Sequence, residues 1–164
     1  LFKATAPTEI YTGDTSSAAS DVYKRQGYKQ ALTEHEMDVD EALIIPGKYT
    51  FESGESGARK LLRLKDRPTA IFASNDYMAA GVLKVAAQLK MRVPYDLSIC
   101  GYDDAPLSKR LWPRLTTIKH PVANVSEQAT NLLMKYLKGE PAAFLPESIH
   151  SDLVVRESTG PLLD

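Results

Sequence analysis

The chain has 164 residues, of which 43% are hydrophobic and 25% are charged, and these values are ordinary for a globular protein. Its 20 basic and 21 acidic residues leave a formal charge of −1, and no apolar run approaches the roughly 18 residues of a membrane span. This composition excludes extended disorder, a membrane span and an overall positive field that could hold nucleic acid. The single Cys100 excludes an internal disulfide, and with no signal-peptide pattern at the start of the chain we expect a cytoplasmic location.

Short β-branched runs alternate along the chain with longer stretches of helical period. This alternation is typical of a parallel sheet covered by helices, so the predicted fold class is α/β. In chain order the predicted elements are strand Glu9–Thr12, the end of a helix at Gly27–Glu36, strand Ala42–Ile45, helix Glu52–Lys65, strand Thr69–Ala73, helix Asp76–Lys90, strand Leu97–Gly101, helix Val122–Lys138 and strand Ile149–Val155. The helices that begin at Asp76 and Val122 carry apolar residues on one face, so each is expected to cover a sheet.

The stretch Ser16–Gln26 stands apart from the rest of the chain. Its apolar residues have a poor helical period, and it resembles a translated adaptor sequence of the kind found in metagenomic reads. Residues 16–26 are therefore expected to be foreign to the fold.

Motifs for catalysis and cofactor binding are absent from the sequence. Ser53–Gly57 has the wrong spacing for the strained turn of a serine hydrolase, and no glycine pattern matches a dinucleotide or phosphate cradle. His35, His120 and His150 are far apart and have no second His or Cys at the spacing of metal ligands. We therefore predict no catalytic residue, no cofactor and no metal.

Polar and aromatic residues follow three of the predicted strands, where open α/β sheets bind ligands. After strand Thr69–Ala73, one residue of the Asn75-Asp76 pair can cap the next helix while the other points into the crevice. The Asp103-Asp104 pair follows strand Leu97–Gly101, and a carboxylate there could accept two hydroxyl hydrogen bonds from a polyol.

Tyr49 follows the strand Ala42–Ile45 and could lay its ring against a sugar or a base. From local chemistry alone, each candidate has a plain structural alternative. Asn75, Asp76 and the aspartate pair could be caps and turn residues, and Tyr49 could be an exposed loop residue.

Three segments taken together resemble the effector-binding domain of LacI/GalR-family bacterial transcription regulators. They read RPTAIFASNDYMAAG over residues 67–81, VPYDLSICGYDD over 93–104 and PRLTTI over 113–118. Residues 27–32 and the closing segment Leu153–Ser158 fit further landmarks of that family, so the resemblance covers most of residues 27–156.

The resemblance implies a type I periplasmic-binding-protein-like fold of two doubly wound lobes, with a small effector in the cleft. It implies that residues 1–118 form the C-terminal lobe, that 119–146 are a return segment of an incomplete N-terminal lobe with little to pack on, and that 147–164 are the closing strand and tail. A separate N-terminal helix-turn-helix domain, which reads operator DNA in this family, is expected to lie outside the chain.

The resemblance also assigns effector contacts residue by residue. Asn75 and Asp103 match cleft residues that hydrogen-bond effector hydroxyls, and Tyr49 matches a stacking aromatic. Lys24 stands where the family usually has an arginine, whose bidentate fork a lysine cannot reproduce. The expected effector is a sugar, or a nucleoside or purine.

The function expected on this basis is effector binding without catalysis, in a cytoplasmic homodimeric transcription regulator. Lobe closure on the effector would shift the population of states and so alter operator binding. One alternative is a periplasmic sugar-binding protein of a transport system, which would share the fold and the cleft chemistry. A more remote alternative is a doubly wound enzyme or phosphoacceptor that uses Asp103 and Asp104 as a magnesium-binding pair.

Overall fold

The structure is a computed structural model, and it describes residues 8–12, 18–140 and 150–162. Strands and helices alternate through most of the described residues. In chain order they are β1 (Thr8–Thr12), α1 (Ala18–Glu34), β2 (Ile44–Gly47), α2 (Phe51–Leu61), β3 (Ala70–Ala73), α3 (Asp76–Gln88), β4 (Ser98–Tyr102), β5 (Thr116–Lys119), α4 (Val122–Leu137) and β6 (Asp152–Val154). Short 3-10 helices lie at Glu41–Leu43 and Pro106–Lys109.

The described strands form one sheet in the order β2-β1-β3-β4-β5-β6. All neighbours from β2 to β5 pair in parallel, and β6 pairs antiparallel with β5. From β1 the chain passes to β2 on one side, and from β2 it crosses back over β1 to β3 on the other side. Because such crossovers are right-handed, α1 lies on one face of the sheet, and α2 and α3 lie on the other. This doubly wound arrangement confirms the predicted α/β class, and the antiparallel β6 is an addition to the predicted parallel sheet.

Helices α2 and α3 pack against each other over one face of the sheet. Each begins at a side-chain cap, since Thr50 and Ser53 form a reciprocal capping box for α2 and the Asn75 side chain caps α3. The largest fully buried side chains of the resulting core are Leu61, Ile71, Met78, Val82, Val85, Leu97, Ile99 and Leu115. Burial of this apolar face is the main favourable contribution to folding.

Several predicted boundaries differ from the structure. Strand β2 begins at Ile44 rather than Ala42, because Asp40 caps the 3-10 helix Glu41–Leu43 by accepting the Ala42 amide at 2.9 Å. Helix α2 ends at Leu61 rather than Lys65, and Leu64, beyond its end, is 40% exposed. The strand β5 was not predicted, and Ile149, the predicted start of β6, lies outside the described residues.

Helix α1 begins at Ala18 and runs through the rest of the Ser16–Gln26 stretch, despite its poor apolar period. That residues 16–26 are foreign to the fold stays a prediction. Polar side chains of this stretch contact other parts of the chain. The guanidinium of Arg25 pairs with Glu41 at 2.6 Å, and Lys24 donates a hydrogen bond to the Ser74 carbonyl at 3.1 Å. Ser16 and Ser17 lie outside the described residues.

Helix α4 has no buried residue. Its apolar side chains are largely in solvent, with Val122 58%, Leu133 56% and Leu137 69% exposed. None of the described helices combines the length and apolar character needed to span a membrane.

Candidate functional site

The predicted site residues lie around the edge of the sheet at which the parallel strands end. Tyr49 follows β2, Asn75 follows β3, Asp103 follows β4, and Lys24 comes from the first half of α1. Carboxyl ends of neighbouring parallel strands meet at one edge, so residues far apart in sequence converge there. Asn75 contacts Tyr49, and Lys24 lies over the rings of Tyr49 and Tyr102.

Asn75 joins two of these segments. Its Oδ1 accepts a hydrogen bond from the Met78 amide at 2.8 Å, and its Nδ2 donates to the Tyr49 carbonyl at 3.0 Å. The residue is only 7% exposed. The helix-cap alternative for Asn75 is thus realised, and the same amide also fixes the loop that carries Tyr49, whose backbone has a φ of 58°.

Asp76 does not point into the crevice, as one reading of the Asn75-Asp76 pair had allowed. It is fully buried, where its carboxylate accepts hydrogen bonds from the Thr117 hydroxyl at 2.5 Å and from the Ala105 amide at 2.7 Å. Burial raises the pKa of the Asp76 carboxyl to about 6, against the lowering effect of these two bonds. The residue therefore connects α3 to the loop after β4 and to strand β5.

Asp103 lies in an exposed turn directly after β4. Its amide donates to the Ile118 carbonyl at 2.8 Å, and its backbone has a φ of 108°. Loss of water around the carboxyl raises the pKa of Asp103, while the positive charges of Lys24 and His120 oppose that rise. The carboxylate thus has two basic side chains within electrostatic range and two oxygens that can accept hydroxyl protons.

The amine of Lys24 lies over two aromatic rings. Its Nζ is 4.1 Å from the ring centre of Tyr102 and 5.5 Å from that of Tyr49. Rings at these distances attract an ammonium group by the cation–π effect. Lys24 therefore holds together the predicted stacking residue Tyr49 and the end of β4.

Two residues of this region were not predicted as ligand contacts. Tyr102 is 8% exposed, and its ring centre is 5.9 Å from that of His120. The Nδ1 atom of His120 is buried and has no hydrogen-bond partner within the described part of the chain. The signal that could have found His120 is its place directly after β5, which matches the place of Asp103 directly after β4.

A cavity of about 430 Å³ adjoins the site on the α1 side of the sheet. Lys24 and Tyr102 line it together with Tyr28 and Phe72. The described residues contain no group of three or more His, Cys, Asp or Glu side chains that could hold a metal ion. The chemistry present at this edge is therefore a carboxylate, an amide, an amine, an imidazole and aromatic rings, which suits a polar ligand with flat apolar faces.

Comparison with known proteins identifies the family. Residues 8–159 match the model of the periplasmic binding protein-like domain. Catabolite control protein A of Priestia megaterium is 41% identical over 117 residues, which are 71% of this chain and 35% of that protein. The ribose operon repressor of Haemophilus influenzae is 36% identical over 152 residues, which cover 87% of this chain and 46% of the repressor.

A solved structure supports the same family assignment. A complex of the transcriptional regulator CelR with cellobiose superposes with a TM-score of 0.85 at 30% identity, over 95% of this chain and 47% of that one. The chain thus spans less than half the length of each of these three proteins, and the two relatives are named as a control protein and a repressor rather than as enzymes. The chain belongs to the periplasmic binding protein-like domain family and corresponds to the ligand-binding part of LacI-family transcription regulators.

Proposed function

We propose that this chain binds a sugar effector at the carboxyl edge of β2, β3 and β4, as part of a cytoplasmic homodimeric transcription regulator. The convergence of Tyr49, Asn75, Asp103 and Lys24 on that edge is the observation that carries the proposal. Operator DNA would be read by an N-terminal domain outside this chain. The two curated relatives and the cellobiose complex support a regulatory role for the ligand.

In the proposed site the Asp103 carboxylate accepts two effector hydroxyls and the Tyr49 ring stacks on the apolar face of the sugar. Charge-assisted hydrogen bonds of this kind contribute about 1.5–3 kcal/mol each. Lys24 and the second N–H of Asn75 Nδ2 supply donors for ring or hydroxyl oxygens. Nucleosides and purines also have a flat apolar face and polar edges, so they are the alternative class of ligand to sugars.

The proposed domain organisation divides the chain between two lobes. Residues 1–118 and 147–164 form the C-terminal lobe, and residues 119–146 belong to an N-terminal lobe whose other parts lie outside the chain. The absence of buried residues in α4 supports this division, because an amphipathic helix is stable in a complete protein only when its apolar face is covered. An effector that bridges both lobes would favour the closed state over the open one.

Isothermal titration calorimetry of the full-length protein tests the proposal, with D-ribose, cellobiose and adenosine as probes. We expect a sugar to bind, and we expect D103N to bind it at least about tenfold more weakly, because one charged acceptor is lost. The control D96N removes a partly exposed carboxylate that lies outside the proposed site and forms an ion pair with the nearby Arg92. A folded protein that binds none of the probes, or a D103N variant that binds like the wild type, would contradict the proposal.

A further inference from the structure

The loop that carries Asp103 has an unusual backbone. Asp103 and Asp104 follow each other with φ values of 108° and 52°, in the left-handed region that residues other than glycine rarely adopt. Such a conformation persists only when surrounding contacts stabilise it. The contacts that hold this loop therefore determine where the Asp103 carboxylate points.

Asp104 provides the strongest of these contacts. Its Oδ1 lies 2.5 Å from Nη2 of Arg156, and both side chains are only 10% exposed. The hydroxyl of Ser108 donates to the same Oδ1 at 3.1 Å. Lys109 is a weaker partner, because its Nζ is 3.7 Å from Oδ2 and its side chain is 61% exposed. The three residues Asp104, Ser108 and Arg156 are called the Asp104 cluster below.

Arg156 is itself held from several sides. Its Nη1 donates to the Ser108 hydroxyl at 3.0 Å and to the Leu115 carbonyl at 2.7 Å. Its backbone amide donates to the Thr116 hydroxyl at 2.8 Å. Because its guanidinium is largely buried and engaged with Asp104, Ser108 and Leu115, Arg156 holds the loop through Asp104.

Arg156 is also distant in the sequence from the loop that it holds. It lies two residues beyond β6, the strand by which the chain returns to the sheet after α4. The pair therefore joins the end of β4 to the closing segment of the chain, 52 residues away.

We propose that Arg156 is a positioning residue of the effector site, which acts through Asp104 to hold the left-handed loop that presents Asp103. The inference rests on the effector role proposed for Asp103. Arg156 is needed for the geometry of the carboxylate and makes no contact with the ligand. A lysine at position 156 keeps the charge but loses the planar fork that reaches two acceptors at once.

Nuclear magnetic resonance of the 15N-labelled chain tests the positioning directly, without any effector. The three-bond HN–Hα couplings of Asp103 and Asp104 report φ, and exchange of the Asp103 amide reports its bond to the Ile118 carbonyl. In R156M we expect both couplings to change and this exchange to accelerate about tenfold or more, because a charged hydrogen-bond partner is lost. R156K should restore part of the wild-type values.

A purely structural role for Arg156 would lower protection throughout the lobe without changing the two couplings. The matched control is R114M, since Arg114 pairs with Glu157 in the same closing segment but is 57% exposed. Wild-type couplings and wild-type Asp103 exchange in folded R156M would overturn the inference. If R156M fails to fold, S108A removes one hydroxyl of the Asp104 cluster and is judged by the same two measurements.

Calorimetry of the full-length protein then tests the consequence for binding, with D-ribose and cellobiose as probes. For a probe that binds the wild type, R156M should bind about tenfold more weakly and R114M equally well. Equal affinity of R156M and the wild type would overturn the effector part of the inference. A wild type that binds neither sugar would count against the proposed function alone, because the couplings and exchange rates decide the positioning role independently.

Discussion

At the scale of single residues, several polar side chains of this site form hydrogen bonds that stabilise the fold. The carboxamide of Asn75 caps α3 with its oxygen and holds the Tyr49 carbonyl with its nitrogen. The carboxylate of the neighbouring Asp76 accepts hydrogen bonds from the Thr117 hydroxyl and the Ala105 amide, one at each oxygen. A substitution at either position therefore tests the scaffold of the site as well as its chemistry.

Asn75 allows its two structural roles to be separated. N75A removes both the cap and the bond to Tyr49, and we expect the free energy of unfolding to fall by about 1–2 kcal/mol. N75S loses the amide N–H that bonds the Tyr49 carbonyl but keeps a good cap, so its stability should remain close to that of the wild type. Urea unfolding of the two variants checks this expectation. Equal losses in N75A and N75S would show that the cap is not the dominant contribution.

The buried carboxyl of Asp76 predicts an unusual pH dependence. Its pKa is raised from 3.8 to about 6 in the folded chain, so between about pH 4 and pH 6 the unfolded chain releases a proton that the folded chain retains. The Asp76 contribution to stability is therefore fully present below about pH 4 and is lost as the pH rises through 6, by about 3 kcal/mol in all.

The comparison of the wild type with D76N isolates this effect from other titrating groups. D76N should be most destabilising near pH 4, and its deficit should shrink as the pH rises to 7. The control D96N removes a carboxyl whose pKa is lowered to about 2 by Arg92, so its deficit should be constant above about pH 5. Urea unfolding at pH 4, 5, 6 and 7 measures both curves. A D76N deficit that grows with pH would mean that the Asp76 pKa is lowered by folding instead.

At the scale of elements, the contact between α2 and α3 depends on two glycines. A Cβ atom on Gly54 would overlap the Met78 carbonyl, and one on Gly81 would overlap the Phe51 carbonyl. The two helices thus touch backbone to backbone near their N-terminal halves. This close approach brings the cap residue Asn75 of α3 within reach of Tyr49, one residue before the cap of α2.

Substitution of these glycines should be costly. In G81A the new methyl group must displace backbone atoms of α2, and we expect a loss of about 3 kcal/mol in the free energy of unfolding. G27A is the matched control, because Gly27 lies inside α1 with nothing within 4 Å of the added Cβ. Alanine is the better helix former by about 1 kcal/mol, so G27A should stabilise the chain. Thermal and urea unfolding measure both effects, and a neutral G81A would contradict the close helix contact.

At the scale of the whole molecule, the alternation of strands and helices predicted the sheet and the edge where the site forms. The rule that parallel strands end together was enough to expect Asn75 and Asp103 at the same edge. Hydrophobic patterning did not predict β5, because Ile118 is the single apolar residue among the four residues of that strand. The partners of Asp76 and Arg156 also escaped prediction, because they lie 41 and 52 residues away and depend on the folded topology.

For the exposed helix α4 we predict that one substitution has different effects on the stability of this chain and of the full-length protein. Leu133 is 56% exposed here, so L133S should change the free energy of unfolding of this chain by less than about 0.5 kcal/mol. In the full-length protein the same residue should be covered by the N-terminal lobe, and L133S should cost about 2 kcal/mol or more.

Leu61 provides the reference for a residue that is buried in both contexts. Because its side chain is fully buried in the core between α2 and the sheet, L61A should cost about 2–5 kcal/mol in this chain and in the full-length protein alike. Urea unfolding of the four variant proteins measures the two pairs of losses. An L133S loss that is equally small in both contexts would show that α4 stays uncovered in the full-length protein, and would overturn the assignment of residues 119–146 to a second lobe.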